Sequence, residues 1–232
     1  SDVYKRQGLD DTLNFEVEKE IFVECEKYLH DKINVKELIK HPQKIYIFYN
    51  ILNRMANVID TKYFELCKKR VMSDLNKISS SSLRSLDDNT NKVIIGSKDE
   101  LATFLALLYY LSSLCMQKYM LVSSTMVGEL EYVCQYDLVK ILALGRQIGI
   151  SRDSVMSYID YFSMDVNVTS GNFTEFPLLK FKNKIIWIPS SIVLNDFQFS
   201  IVNGHYYKGI RFENKDETVS QSIIDYIVNH VN

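Results

Sequence analysis

The stretch LATFLALLYYLSSLCMQ, residues 101–117, carries no charged side chain and is apolar on nearly every side. Ser97 and Glu100 precede it at the spacing of a capping box, so a helix is predicted to begin there. A membrane span needs about 20 apolar residues. This run is shorter, and Tyr109 and Tyr110 dilute it. We therefore predict a buried central helix, with a membrane span as the alternative interpretation.

Apolar residues recur at helical spacing on both sides of this central helix. After Gly171 the period changes, and PLLKFKNKIIWIP alternates around Lys182 and Asn183, which predicts a β-hairpin near 177–188. The expected fold class is therefore mainly α, a helical bundle-like array with that one small β-hairpin. The other predicted helices span 13–29, 34–40, 43–59, 61–78, 129–148, 151–163 and 214–230.

Changes in composition predict how the chain is divided. The polar stretch SSSSLRSLDDNTN has no periodicity, as expected of a linker or mobile loop. The first seven residues, SDVYKRQ, resemble the translation of a transposon adapter used in DNA library preparation, so we expect an artefact there. The predicted segments are the adapter artefact at 1–7, a helical subdomain at 8–78, the linker or mobile loop at 79–96, a second helical subdomain at 97–165, the hairpin plus a helix at 173–210, and a terminal helix at 211–232 that begins a truncated following domain.

The overall charge balance is slightly acidic. The chain has 232 residues, with 27 Lys and Arg against 29 Asp and Glu, a formal net charge of −2. Dedicated nucleic-acid binders usually have a basic excess or a basic stripe. The sequence displays neither, which argues against a protein devoted to nucleic acid.

Cysteine and histidine placement does not indicate a metal site. The four cysteines, Cys25, Cys67, Cys115 and Cys134, lie in apolar segments and none belongs to a CxxC pair. We expect buried free thiols in a reducing compartment and a cytoplasmic location. No phosphate loop, GxGxxG, GxSxG or HExxH pattern occurs in the sequence. No cofactor and no metal are therefore expected. Enzyme activity stays an open question, with a non-enzyme as the favoured interpretation.

The segment LALGRQIGISRDSVMSYI, residues 142–159, resembles a helix-turn-helix DNA reader in the spacing of Gly145, Gly149 and Val155. Its second helix would present Asp153 and Asp160, which would repel phosphates. We favour a helical corner held by packing, and keep DNA reading as the alternative. The candidate nucleic-acid-binding residues are Ser151, Arg152 and Ser157.

The C-terminal part carries a second resemblance. FPLLKFKNKIIWIPSSIVLNDFQFSIVN is followed by YYKGIRFENKDETVSQSIIDYI, which is similar to the region that leads into the nuclease module of large bacterial restriction-endonuclease-like (PD-(D/E)XK) proteins. The resemblance implies that Phe212 anchors the first nuclease helix and that Glu213, the one candidate catalytic residue, joins its metal site. It also implies that the remaining acids and lysine of that module follow Asn232. The matching residues are Ser191, Val193, Leu194, Gly209, Phe212 and Glu213.

Two functions are carried forward from the sequence. The first is a non-catalytic helical accessory or regulatory region of a larger nuclease-related bacterial protein, in defence against foreign DNA. Its partner would be a following catalytic domain of the same polypeptide. The alternative is a stand-alone helical interaction or DNA-binding adaptor that uses residues 142–159. No membrane partner is expected, and the nucleic-acid partner and oligomeric state are left open.

Overall fold

The computed structural model describes residues 27–28, 45–77, 97–122, 133–164, 176–193, 225 and 227–229. The predicted fold class is confirmed in this part of the chain, which is mainly helical with a small β-sheet. Residues 27–28, 225 and 227–229 are helical as well. The remaining elements in chain order are α1 (Ile45–Asn57), α2 (Thr61–Lys77), α3 (Lys98–Val122), β1 (Cys134–Asp137), α4 (Leu138–Gln147), α5 (Arg152–Phe162), β2 (Ser163–Met164), β3 (Leu178–Phe181), β4 (Lys184–Trp187) and α6 (Pro189–Val193).

Several predictions concern residues outside the described part of the chain. They are the adapter-like residues 1–7, the helix at 34–40, most of the helices at 13–29 and 214–230, the linker or mobile loop at 79–96, and the nuclease-like positions 209, 212 and 213.

The central helix α3 is the core of the molecule. Every residue from Leu101 to Ser112 is buried, and α1, α2 and α6 pack against it. Over Lys98–Lys118 this helix is long and apolar enough to cross a membrane, yet 72% of its apolar window is buried inside the protein. It thus packs as a core helix, as the sequence predicts. Each fully buried Leu or Phe side chain contributes about 1.5–3 kcal/mol relative to an exposed one.

The sheet has four strands in the order β1-β4-β3-β2. Strands β3 and β4 form the predicted hairpin, and β1 adds antiparallel to β4 with Cys134 opposite Trp187. The hairpin turn is Lys182-Asn183, and Lys182 has the positive φ of 53° that tight hairpin turns require. The short strand β2 runs parallel to β3.

One helix prediction needs correction. The sequence predicts a single helix over 129–148, whereas residues 134–137 form β1 and the helix begins only at Leu138. Burial along β1 alternates at its first residues, with Cys134 buried and Gln135 exposed. Its hydrogen-bonding partner β4 lies about 50 residues away in sequence, so tertiary pairing decides the conformation of this segment.

Both faces of the sheet are covered. Leu178, Ile185 and Trp187 join the main core around α3, whereas Leu179 and Ile186 belong to a second apolar cluster. Burial on both faces explains why β4 reads as a continuous apolar run, since alternation requires one solvated face. The second cluster also contains Met164, Phe176 and Ile227.

Polar groups on α3 bind the surrounding elements through hydrogen bonds. The Tyr110 hydroxyl donates to the Met55 carbonyl oxygen at 2.7 Å and accepts from the Asp60 N–H at 3.0 Å, so it fixes the α1–α2 connection to α3. The Trp187 indole donates to Ser112 Oγ at 2.7 Å, which fixes the hairpin to the same helix. A buried polar group without a partner is costly, so these bonds also position the groups that form them.

We expect Tyr110→Phe to destabilise the protein by about 1–3 kcal/mol, because the Met55 carbonyl and the Asp60 N–H both lose their partner in a buried place. Urea denaturation should show a lower midpoint with an unchanged slope. The matched control is Tyr49→Phe, since Tyr49 is exposed. Equal midpoints for the two variants would contradict the structural role of the Tyr110 hydroxyl.

Candidate functional site

Helices α4 and α5 are joined by a short turn with a Schellman-type ending. Ile150 N–H donates to the Gly145 carbonyl oxygen at 2.9 Å, and Gly149 N–H donates to the Arg146 carbonyl oxygen at 3.2 Å. Gly149 has φ of +82°, which glycine adopts without strain. Ile150 is buried directly after the turn. The turn is therefore held by its hydrogen bonds to α4 and by the packing of Ile150 before α5 begins.

Close contact at Gly145 sets how nearly the two helices approach. A Cβ atom placed on Gly145 would lie 2.8 Å from Val155 Cγ2, a distance that real Cβ atoms do not reach. Val155 is fully buried. The two glycines of the segment therefore have different functions: Gly145 allows the helices to touch, and Gly149 allows the chain to turn.

Ser151 acts as the N-cap of α5. Its Oγ accepts a hydrogen bond from Ser154 N–H at 3.1 Å and donates one to Ser154 Oγ at 2.9 Å. Of the three candidate binding residues, Ser151 and Arg152 are exposed and Ser157 is half-buried. The structure places all three on α5 or at its first turn. The Ser151 hydroxyl, however, already serves the helix end, as N-cap side chains do.

The hairpin lies beside both helices. Lys180 Nζ on β3 contacts Asp160 Oδ1 on α5 at 2.7 Å, and both side chains remain about half exposed. At the hairpin turn, the Asn183 carbonyl oxygen accepts from Leu138 N–H, the first residue of α4, at 2.8 Å. The hairpin is thus attached to the beginning of α4 and to the C-terminal part of α5.

These contacts define what we call the α5–hairpin surface, made of the outer side of α5 together with Lys180 and Lys182 of the hairpin. Asp160 lies on it with its charge matched by Lys180, so the repulsion expected from Asp160 is reduced. Its charged members are Arg152, Asp153, Asp160, Lys180 and Lys182, whereas Lys184 is paired with Phe181 and lies on the other face of the sheet.

Charge is unevenly distributed along the chain. Residues 133–187 hold six Lys and Arg and five Asp and Glu, a net of +1, whereas the whole chain has −2, and half of the six positive charges lie on the hairpin. The placement of this charge beside α5 is not visible in the helical corner or in the hairpin taken separately. One sequence feature could have indicated the positive charge beside α5: a hairpin with three lysines follows the second helix closely along the chain.

A pocket of 380 Å³ opens behind the turn, between α2, the start of α3 and residues 147–150. Lys68 and Asp99 form an ion pair of 3.0 Å within its lining, and Thr103 and Glu100 also face it. Within the described residues, no three His, Cys, Asp or Glu side chains are grouped so that they could hold a metal ion. The polar lining suits a small hydrogen-bonding molecule better than an apolar one.

Tyr158 connects α5 to the beginning of α3. Its ring stacks on Phe104 with centroids 5.1 Å apart, and its hydroxyl lies 3.4 Å from Glu100 Oε1. Burial, followed by the nearby Glu100 carboxylate, raises the pKa of Tyr158, so this tyrosine is uncharged across the physiological range. The inner side of α5 is therefore apolar, and its charges are confined to the outer side.

We expect Gly145→Ala to destabilise the protein by about 1–3 kcal/mol, because the new methyl group must displace a buried, stiff valine. The double variant Gly145→Ala, Val155→Ala should be less destabilised than the sum of the two single variants. Additive effects, measured by urea denaturation, would contradict the contact. Gly149→Ala is the control for backbone strain alone, since nothing lies within 4 Å of its added Cβ.

The chain was also compared with known proteins. No family model, no curated protein and no solved structure matches it. Its function must therefore be inferred from the geometry and charge of the described residues.

Proposed function

We propose that residues 133–187 form a winged helix-turn-helix unit that binds duplex DNA. The order of elements β1, α4, α5, β3 and β4, with the sheet order β1-β4-β3, supports this proposal. The observation that carries it is the 2.7 Å contact between Lys180 and Asp160, because it places the lysine-bearing hairpin beside the exposed side of α5. In this reading the hairpin is the wing.

The size and chemistry of α5 suit the major groove. An 11-residue helix is about 16 Å long, and the major groove is about 12 Å wide, which admits a helix. Arg152 at the exposed N-terminal end could form a bidentate contact to guanine. Lys182, exposed at the turn of the wing, would contact phosphates and release counterions.

We favour double-stranded over single-stranded DNA as the ligand, because the described α5–hairpin surface has no large exposed aromatic side chain. Single-stranded nucleic acid is usually held by aromatic side chains on which bases stack. Among the described residues, the large exposed apolar side chains are Ile47, Tyr49, Val58 and Val139, and none of these belongs to α5 or to the hairpin. The surface therefore offers charge and hydrogen bonds but no stacking platform.

The accessory role in a larger nuclease-related bacterial protein stays a prediction. It is compatible with a DNA-binding unit, which would bring an attached module to its substrate. Glu213 and the rest of the nuclease-like segment lie outside the described residues, so this role has no support from geometry. The cytoplasmic location is likewise a prediction.

The accessory role predicts that the gene continues beyond the codon for Asn232 into a strand-rich segment with paired acids and a lysine. Sequencing the genomic locus tests this directly. A stop codon immediately after Asn232 would contradict the role, whereas DNA binding by residues 133–187 would be unaffected.

Duplex binding should be measured by fluorescence anisotropy with the full chain and a 20-base-pair DNA. With about three phosphate contacts, the affinity should fall about 40-fold between 50 and 200 mM salt. We expect Arg152→Glu and Lys182→Glu each to weaken binding by at least about tenfold, since each reverses a charge at the α5–hairpin surface. The control is Lys69→Glu, an exposed lysine on α2 far along the chain from the unit.

Asp153 provides a test in the opposite direction. It is exposed in the first turn of α5, beside Arg152, and its carboxylate would repel phosphates. Asp153→Asn should therefore tighten binding and leave the fold intact. Absence of any salt-sensitive binding in the unchanged protein would refute the proposal and leave the helical corner as a packing element.

A further inference from the structure

Two cysteines that are distant in sequence meet beside the central helix. Cys115 lies on α3 and Cys134 is the first residue of β1, and their thiols lie close enough for each to shift the pKa of the other. Cys134 Sγ also lies 3.9 Å from the carbonyl oxygen of Leu111, which is one helical turn before Cys115. The thiol of Cys134 on β1 therefore lies at the turn of α3 that carries Cys115.

The two thiols differ in their exposure and acidity. Cys134 is buried, and this burial raises the pKa of its thiol. Cys115 is only partly buried, and its interaction with Cys134 outweighs the opposing effect of burial and, together with the charge of Lys118, lowers the pKa of its thiol. A thiolate, unlike a thiol, is a nucleophile, so Cys115 is the more reactive of the two.

Ser112 connects this pair to the hairpin. Ser112 lies close enough to Cys134 to lower the pKa of its thiol, and the Trp187 indole N–H donates to Ser112 Oγ at 2.7 Å. Trp187 also lies directly opposite Cys134 in the β1–β4 ladder. It is the only tryptophan of the chain, so its fluorescence reports on the surroundings of the cysteine pair.

We propose that Cys115 and Cys134 form a redox-active dithiol site that a peroxide converts into a reversible disulfide between α3 and β1. Cys115 is the attacking thiolate and Cys134 the resolving thiol. Cys67 is fully buried in α2 and serves as the internal comparison, because its environment is that of a packing residue. The proposal rests on the thiol contacts and does not require the proposed DNA binding.

The chemistry balances in two steps. The Cys115 thiolate attacks one oxygen of hydrogen peroxide, an S–O bond forms, the O–O bond breaks, and hydroxide leaves and is protonated to water. Cys134 then loses its proton to solvent and its sulfur attacks the Cys115 sulfur, so that an S–S bond forms and the sulfenic oxygen leaves as water. Two electrons pass from the thiols to the peroxide, and a dithiol reductant restores the pair.

The test uses the full, reduced chain and hydrogen peroxide at neutral pH. Mass spectrometry of a non-reducing digest should identify the peptide pair that joins Cys115 and Cys134. Trp187 fluorescence should fall over the same time course, because a disulfide quenches a nearby indole, and dithiothreitol should restore it. Cys67→Ser should behave like the unchanged protein. A linkage involving Cys67 or Cys25 instead, or no linkage, would overturn the proposal.

Three variants separate the functions of the two thiols. Cys134→Ser should stop at a sulfenic acid on Cys115, which dimedone labels, whereas Cys115→Ser should lose the fluorescence change. Lys118→Gln leaves both thiols in place and should slow the fluorescence change several-fold, because the pKa of Cys115 rises without the nearby cation. Lys118→Arg should keep the original rate. A Cys115→Ser protein that responds as fast as the unchanged one would refute the assignment.

Discussion

Helix α3 has no solvent-exposed side between Leu101 and Ser112, and this single constraint determines the arrangement of the rest. A helix of this kind is stable in water only when other elements cover all of it. Helices α1 and α2 cover one part, α6 another, and α5 and β1 also contact it. The described elements are thus organised around α3, and the hairpin strands also carry apolar side chains on the face turned away from it.

Burial on all sides also requires that every polar group of α3 find a partner within the protein. Thr103 Oγ1 donates to the Asp99 carbonyl oxygen, Tyr110 bonds to the α1–α2 connection, and Ser112 accepts from Trp187. The first bond is local, but the other two join elements that lie far away in sequence. Hydroxyl groups on an otherwise apolar helix therefore specify which neighbouring element packs at which position. Apolar contacts alone are less specific.

The sequence predicts the features that depend on local periodicity, and it fails on those that depend on pairing. The central helix, the helices at α1 and α2 and the hairpin follow from spacing alone. The sequence predicts a helix where β1 lies, because the strand that pairs with β1 is distant: Cys134 is opposite Trp187, which is 53 residues further along the sequence. The α5–hairpin surface was missed for the same reason, since overall composition cannot reveal that Lys180 meets Asp160. The thiol pair also depends on a contact between α3 and β1 that no local spacing encodes.

A glutamine side chain links the unit of β1, α4, α5 and the hairpin to the helices before it. Gln147 Nε2 donates to the Asn57 carbonyl oxygen at 3.1 Å, and Gln147 Oε1 accepts from Ile59 N–H at 3.0 Å. The side-chain amide of Gln147 thereby provides one donor and one acceptor to the α1–α2 connection, as a peptide group of an adjacent strand would. Glutamate has the same shape but only accepts when ionised, so it would leave one half of this pairing unmatched. Position 147 is therefore selective for an amide for a reason that neither helix propensity nor burial would reveal.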